Sequence, residues 1–260
     1  MFLENEVNKV KEYYARLNGD YTRIFGETLQ AYRPASDKEL YRYLLNSIGL
    51  KDGMRVLDAG CGFGGPAFYF ASQLKIHIDA ITISPEQSEY AIEKLAKIKL
   101  KGKVVPRVED YHLIENLFEA DGFDLIYFLE SLVHADNPDM VIKGCQKTLK
   151  KGGVLYIKDL FYGVATEPGE RERIDIAVKN CNEVTCQTIR PVDEILKSIR
   201  EHNLKLISVA RLPFPSDFSK VNTFYHDTDV RIYKDQQGRY SGIGPEYVTF
   251  YEIKAFKPYN

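Results

Sequence analysis

The stretch Val56–Gly65, VLDAGCGFGG, constrains the fold more than any other part of the chain. An apolar run passes into a glycine-rich turn, and Pro66 then begins a helical pattern. Glycine lacks Cβ and tolerates positive φ, so such a turn lets backbone approach a ligand closely. The start of the helix offers free N–H donors beside it. The sequence therefore predicts a strand–loop–helix unit that binds a ligand.

The loop alone is compatible with two classes of ligand. Gly60, Gly62 and Gly65 satisfy the dinucleotide fingerprint G-x-G-x-x-G. Asp58, two residues before the first glycine, also suits a ligand with an ammonium or hydroxyl group.

The end of the second strand bears on this choice. A dinucleotide site needs an acidic residue there, about 20 residues past the glycines, to hold a ribose hydroxyl. The acidic residue present is Asp79, which the alternating pattern places in mid-strand. Thr82 at the strand tip and Gln87 in the next helical turn are better placed at the ligand-binding edge.

Apolar and helical patterns alternate along the chain, which predicts an α/β fold with a mostly parallel sheet. Strands are predicted at 54–59, 76–83, 103–108, 122–129 and 153–159, and helices at 4–18, 36–48, 65–74, 85–98 and 137–150. Asn18–Gly19 is expected to end the first helix. A charged helical insertion is predicted at 161–187, followed by a helix from Pro191 and strands at 204–212 and 247–256 that could form an antiparallel hairpin. The stretch 213–245 has no regular pattern.

Composition narrows the class of protein. The 260 residues carry 35 basic and 37 acidic side chains, so no global field favours nucleic acid or an anionic membrane. The four cysteines form no paired CxxC zinc pattern and no dense disulfide framework. There is no leader-like start and no run of about 18 apolar residues. We expect a cytoplasmic protein without membrane insertion or nucleic-acid partner.

Four segments together resemble the class I S-adenosylmethionine-dependent methyltransferases: VLDAGCGFGG, ITISPEQ, FDLIYFLESLxH and LKKGGVLYIKD. The ITISPEQ variant is similar to the branch with sterol, cyclopropane-fatty-acid and terpenoid C-methyltransferases. The resemblance is strong over residues 36–160. It implies a doubly wound, mostly parallel seven-stranded sheet of the Rossmann-like methyltransferase fold, with N-terminal helices and an inserted helical cap. We expect one domain, with a helical cover (1–50), a cofactor-binding core (51–160), the cap (161–200) and C-terminal strands and loop (201–260).

The resemblance also implies a set of residues that bind S-adenosylmethionine. They are Asp58, Gly60, Cys61, Gly62, Gly64, Thr82, Ile83, Gln87, Asp110 and Tyr111. The glycines would pass beside the methionine half, with Asp58 organising the loop or contacting the ammonium. Thr82 and Gln87 would contact the ribose, and Asp110 the adenine amino group, with Glu109 as the alternative in a shifted register.

Acceptor chemistry is predicted around the end of the fourth strand. Glu130 could take a proton from an acceptor carbon or stabilise a carbocation, and His134 could act with it or help to hold a metal ion on a substrate phosphate. Glu130 could instead be a surface-loop acid or only hydrogen-bond a backbone amide, and His134 could serve packing or contact the cofactor. Tyr14, Tyr21 and Arg23 are predicted to contact the substrate.

The leading hypothesis is methyl transfer to carbon of an isoprenoid or terpenoid acceptor, with Glu130 as base or cation stabiliser. The cofactor would be S-adenosylmethionine, joined by Mg²⁺ if the acceptor is a diphosphate; no other metal site is predicted. The alternative is N- or O-methylation of a small metabolite such as a phosphobase. A non-catalytic binding module and a nicotinamide oxidoreductase stay open, as does homo-oligomerisation.

Overall fold

A seven-stranded sheet forms the centre of the protein in the computed structural model, which describes residues 2–228, 230 and 247–259. The strands are β1 (Arg55–Ala59), β2 (His77–Thr82), β3 (Lys103–Val108), β4 (Phe123–Leu129), β5 (Leu149–Tyr162), β6 (Lys205–Arg211) and β7 (Val248–Phe256). Their order is β3-β2-β1-β4-β5-β7-β6. The first five are parallel, and β7 pairs antiparallel with both β5 and β6. The predicted fold class and late antiparallel pair are confirmed.

Helices cover both faces of this sheet within the described residues. They are α1 (Phe2–Phe25), α2 (Asp37–Ile48), α3 (Gly65–Gln73), α4 (Pro85–Leu95), α5 (Ile114–Leu117), α6 (Pro138–Thr148), α7 (Glu170–Thr185), α8 (Val192–Glu201) and α9 (Ser219–Asp227). Successive residues of a strand point to opposite faces. In β1, Leu57 packs into the core under α6 and α8, whereas Val56 packs into the core under α2 and α3. None of the described helices is long and apolar enough to cross a membrane.

Helix α1 is longer than predicted. The expected stop at Asn18–Gly19 is wrong, because the helix continues to Phe25. Its last turns bury aromatic surface: Tyr21 stacks on Phe224 of α9 at 4.5 Å between ring centroids, and Phe25 meets the same ring at 5.9 Å. This tertiary burial outweighs the intrinsic cost of a helical glycine, which is about 1 kcal/mol.

The predicted insertion at 161–187 contains one helix, α7, which packs Ile174 and Val178 beside Leu160 and Phe250 above the carboxyl end of the sheet. Helix α8 instead lies against the sheet, where Ile195 and Ile199 join the core. Helix α9 lies in the stretch 213–245, where no element was predicted; residues 229 and 231–246 of that stretch lie outside the described residues.

Candidate active site

The glycine-rich loop contains positions whose backbone conformation and close neighbours favour glycine. Gly60 has φ +92°, and its N–H donates to the carbonyl of Ile81 at 2.9 Å, which ties the loop to β2. A Cβ at Gly60 would collide with the Cβ of Ser131. Gly64 precedes α3 with φ +86° and lies under the ring of Phe68. The loop is therefore held closely between β2 and the end of β4.

The loop's N–H groups distinguish the two ligand classes left open by the glycines. Gly65, the third glycine of the dinucleotide fingerprint, donates its N–H to the carbonyl of Glu27 at 3.2 Å. Gly64 donates to Cys61 at 2.9 Å. Asp79 is fully buried and bound by Arg55 and Arg107. Because these donors and this acid already have partners, the loop is a poor pyrophosphate site.

A cavity opens above the loop; we call it the cofactor cavity. Of the residues predicted to bind the cofactor, it is lined by Asp58, Gly60, Cys61, Gly62, Thr82, Ile83, Gln87, Asp110 and Tyr111. Gly64 does not line it. The structure thus brings together segments that lie far apart in the sequence.

One end of the cofactor cavity carries a buried polar chain that begins on β2. The Thr82 hydroxyl donates to Gln87 Oε1 at 2.7 Å, and Gln87 Nε2 donates to Asn18 Oδ1 at 3.0 Å. Asn18 Nδ2 donates in turn to Ser84 Oγ at 3.1 Å. Helix α1 is thereby fastened to the carboxyl edge of the sheet. Sequence patterns gave no indication of this role for Asn18.

Asp110 lies farther along the same end of the cavity. Its Oδ1 accepts from the backbone N–H of His112 at 2.9 Å and contacts the His112 ring nitrogen Nδ1 at 2.7 Å. Burial alone would raise the pKa of Asp110, but the contacts with His112 outweigh it and leave that pKa below its usual range. Glu109 and Tyr111 also line the cavity. Both residues considered for the adenine contact, Asp110 and Glu109, are therefore lining residues.

Asp58 supplies an acid at the opposite, loop end. Its side chain is buried and accepts from the Tyr127 hydroxyl at 2.8 Å. Burial raises the pKa of Asp58 to about 7, against which the tyrosine hydrogen bond acts. A cationic group of a ligand would lower the free energy of the ionised Asp58 side chain, since an adjacent positive charge favours the carboxylate.

Glu130 has an unusual backbone and a fully engaged carboxylate. Its φ is +56°, a conformation that costs a non-glycine residue roughly 1–2 kcal/mol. The carboxylate accepts from the N–H groups of Ala31 at 2.6 Å and Tyr32 at 3.2 Å, and it forms an ion pair with buried Lys158. The side chain therefore anchors the segment after α1, as the alternative interpretation of its role predicted, while also lining the cavity.

His134 forms a hydrogen-bonded pair with Tyr14. The His134 Nδ1 lies 2.8 Å from the carbonyl oxygen of Cys186, which can only accept, so Nδ1 carries the proton. Nε2 is then free to accept from the Tyr14 hydroxyl at 3.1 Å. Burial lowers the pKa of His134, although the Cys186 contact partly offsets this effect. His134 is consequently neutral at pH 7 and able to receive a proton.

A second cavity adjoins the first; we call it the acceptor cavity. The two share Tyr14, Leu29, Glu130 and His134 in their walls. The remaining walls of the acceptor cavity are mainly apolar: Tyr21, Phe25, Ala31, Leu160, Thr185, Gln187, Val221, Phe224 and Tyr225. Within the described part of the chain, no lysine or arginine lines it.

Tyr21 therefore lies where predicted, but Arg23 is not brought to the site. Arg23 lines neither cavity and forms surface ion pairs with Asp20 and Asp227, both at 3.0 Å. In residues 2–228, 230 and 247–259, no group of three or more His, Cys, Asp or Glu side chains could hold a metal ion.

Comparison with known proteins identifies the class. The family described as "Methyltransferase domain" matches residues 50–203, more than half of the chain. The chain belongs to this methyltransferase family, which confirms the resemblance seen in the sequence.

Relatives within the family differ in their acceptors. Phosphoethanolamine N-methyltransferase 1 of Arabidopsis thaliana is 30% identical over 139 residues, covering 54% of this chain and 27% of that protein. Sterol 24-C-methyltransferase ERG6A of Gibberella zeae is 30% identical over 151 residues, covering 55% of this chain and 39% of that protein. The chain thus aligns with less than half the length of these relatives.

Solved structures share the fold over nearly the whole chain. A geranyl diphosphate methyltransferase in complex with GPP and sinefungin has a TM-score of 0.76 at 16% identity, covering 97% of this chain and 99% of that one. The [4+2]-cyclase SpnF also has a TM-score of 0.76, at 18% identity, covering 98% and 97%. At such identities the likeness shows the fold alone.

Proposed function

We propose that this protein transfers the methyl group of S-adenosylmethionine to carbon of a neutral, mainly apolar acceptor of the isoprenoid class. The observation that carries the proposal is the pair of adjoining cavities: the first is lined by Asp58, Thr82, Gln87 and Asp110, and the second by the aromatic side chains of Tyr21, Phe25 and Phe224. Tyr14, Leu29, Glu130 and His134 lie in the walls of both, so the methyl group would pass between the cavities beside them.

The cofactor cavity suits S-adenosylmethionine residue by residue. Thr82 and Gln87 offer oxygen and nitrogen atoms for the ribose, and Asp110 an acceptor for the adenine amino group. Asp58, whose pKa is raised by burial to about 7, would pair with the ammonium of the methionine half. When bound, the cofactor supplies a methyl group already activated by a sulfonium, so the chain mainly has to align the acceptor.

The acceptor cavity supports an uncharged alkene. Attack of a carbon–carbon double bond on the methyl group would form a new C–C bond as the methyl–sulfur bond breaks, which would release S-adenosylhomocysteine and leave a positive charge on the acceptor. The aromatic side chains of Tyr21, Phe25 and Phe224 line this cavity, and aromatic rings can stabilise such a charge. The lack of a cation among the described lining residues disfavours a diphosphate, and with it the Mg²⁺ that a diphosphate would require.

The last step would be loss of a proton from the neighbouring carbon to restore a double bond. The Tyr14–His134 pair would take this proton: the Tyr14 oxygen would receive it while the Tyr14 hydroxyl proton passes to Nε2 of neutral His134, to which it already donates. Glu130 would stabilise positive charge rather than remove the proton, because its carboxylate is already held by Ala31, Tyr32 and Lys158.

Incubation with S-adenosylmethionine and matched acceptors tests this proposal. One prenyl chain would be offered as the alcohol and as the diphosphate, beside phosphoethanolamine, and products would be detected by mass spectrometry. We expect methylation of the neutral prenyl compound. Turnover confined to the phosphorylated compounds would contradict the proposal.

N-methylation of a small amine is the second candidate. The same aromatic walls would hold an ammonium group by cation–π contact, and neutral His134 could take the proton that the amine must lose. The phosphoethanolamine N-methyltransferase relatives are consistent with this candidate. Methylation of small unphosphorylated amines, without any reaction of prenyl compounds, would favour it over C-methylation.

A further inference from the structure

Gln30 is a buried amide in the wall of the cofactor cavity that the sequence did not single out. Its side chain is 2% exposed, and it follows α1 in the segment anchored by Glu130. Its Oε1 accepts from the Nζ of Lys158 at 2.9 Å. Because a lysine ammonium can only donate, this contact requires the amide oxygen to face Lys158. The orientation of the amide is therefore fixed.

The amide nitrogen is left without a partner. Gln30 Nε2 is buried and makes no hydrogen bond to any described residue. Nearly all buried polar groups in folded proteins have a partner, and leaving one unpaired is costly. An unpaired, oriented donor in the wall of a ligand cavity indicates that the ligand supplies the acceptor.

The position of Gln30 indicates which part of the ligand supplies the acceptor. Through Lys158 it is linked to Glu130, near the junction with the acceptor cavity, whereas Asp110 and His112 line the wall assigned to adenine. The methionine half of S-adenosylmethionine carries two charged groups. Asp58 suits its ammonium, so its carboxylate is the acceptor left for a neutral N–H donor.

We propose that Gln30 Nε2 donates to the methionine carboxylate of the cofactor, and that Lys158 is a positioning residue that fixes the amide for this contact. The inference rests on the proposed cofactor but is independent of the acceptor. It assigns the buried lysine a role in the binding of S-adenosylmethionine although Lys158 itself does not line the cavity.

Binding of S-adenosylmethionine and decarboxylated S-adenosylmethionine, which lacks the carboxylate, tests the assignment by calorimetry. The wild-type chain should prefer S-adenosylmethionine by about 10- to 100-fold, as expected for a hydrogen bond to a charged group. Gln30→Leu removes the donor, and Gln30→Glu removes it while keeping an oxygen for Lys158. Gln30→Leu should reduce the preference to within about threefold. Gln30→Glu should abolish or reverse it, because the new carboxylate repels that of the cofactor.

Gln87→Leu is the matched control, because Gln87 is an equally buried amide, 2% exposed, at the ribose end of the same cavity. It should weaken both ligands alike and keep the wild-type preference. Lys158→Met should weaken the preference, because the amide is then free to turn.

Two results would overturn the assignment. They are a wild-type chain that binds both ligands equally, and Gln30 variants that keep the wild-type preference, whether or not they bind both ligands more weakly. If the wild-type chain bound neither ligand, the proposed cofactor would fail together with the assignment. If the wild-type chain bound both ligands and the variants kept its preference, the role of Gln30 would be rejected while the proposed cofactor would stand.

Discussion

The buried ion pair between Glu130 and Lys158 offers the most demanding test of the structure. Glu130→Gln should lower the free energy of unfolding by about 3–5 kcal/mol, the range for breaking a buried pair by removing one partner. Both groups are nearly inaccessible, with side-chain exposures of 4% for Glu130 and 0% for Lys158. The substitution leaves the lysine charge buried without a counter-charge. It also replaces one of two carboxylate oxygens, so a backbone N–H of Ala31 or Tyr32 loses a good acceptor.

A double-mutant cycle separates the interaction energy of Glu130 and Lys158 from the other consequences of each substitution. Lys158→Met should by itself cost a similar amount, because it leaves the carboxylate uncompensated. The double variant Glu130→Gln/Lys158→Met has no buried charge at this place. It should be more stable than either single variant, with a coupling energy of about 2–3 kcal/mol.

Equilibrium urea denaturation followed by circular dichroism measures these free energies, provided that the m-values of the variants agree. A loss below about 1 kcal/mol in both single variants, or strictly additive effects, would refute the pair as a stabilising contact.

Three further predictions concern the loop, the histidine and the buried acid. Gly60→Ala should destabilise the fold by about 2 kcal/mol more than Gly26→Ala in thermal unfolding, because both have positive φ but only Gly60 has a neighbour, Ser131, in the way of a Cβ; equal losses would contradict this. If the Tyr14–His134 pair accepts the proton, kcat/KM for the acceptor, measured at saturating S-adenosylmethionine so that Asp58 is already paired, should stay high as pH falls through about 6.5 and decline only below it, since burial lowers the pKa of His134; an inflection above that pH would contradict the assignment. Asp58→Asn should stabilise the ligand-free protein by about 4 kcal/mol at pH 8 and by little at pH 4, because the folded pKa of about 7 makes ionisation costly only at the higher pH. Urea denaturation at the two pH values measures this difference, and equal stabilisation at both would refute the prediction.

Local sequence patterns were sufficient for the sheet and for the cofactor cavity. Gly60 and Thr82 could be placed because strand ends, glycine turns and helix starts are encoded within a few residues. The carboxyl ends of parallel strands then meet at one edge of the sheet, which brings such residues together without any knowledge of packing.

Contacts between distant segments could not be predicted in this way. The end of α1 depends on Phe224, which lies about two hundred residues later and in a stretch without a regular pattern. The carboxylate of Glu130 is bound by the N–H of Ala31, 99 residues away, and Gln30 acquires its fixed orientation only through Lys158, 128 residues away. No periodicity or motif reports such pairings, so the prediction for Glu130 named the position and left its role open between base and anchor.

The atom that receives the methyl group is the most direct test of the proposed function. The wild-type protein would be incubated with a neutral prenyl acceptor and S-adenosylmethionine carrying an isotopically labelled methyl group, and the product would be examined by nuclear magnetic resonance. The mainly apolar acceptor cavity predicts that the label is bonded to carbon. A label on nitrogen or oxygen, or no transfer from a cofactor that does bind, would contradict it.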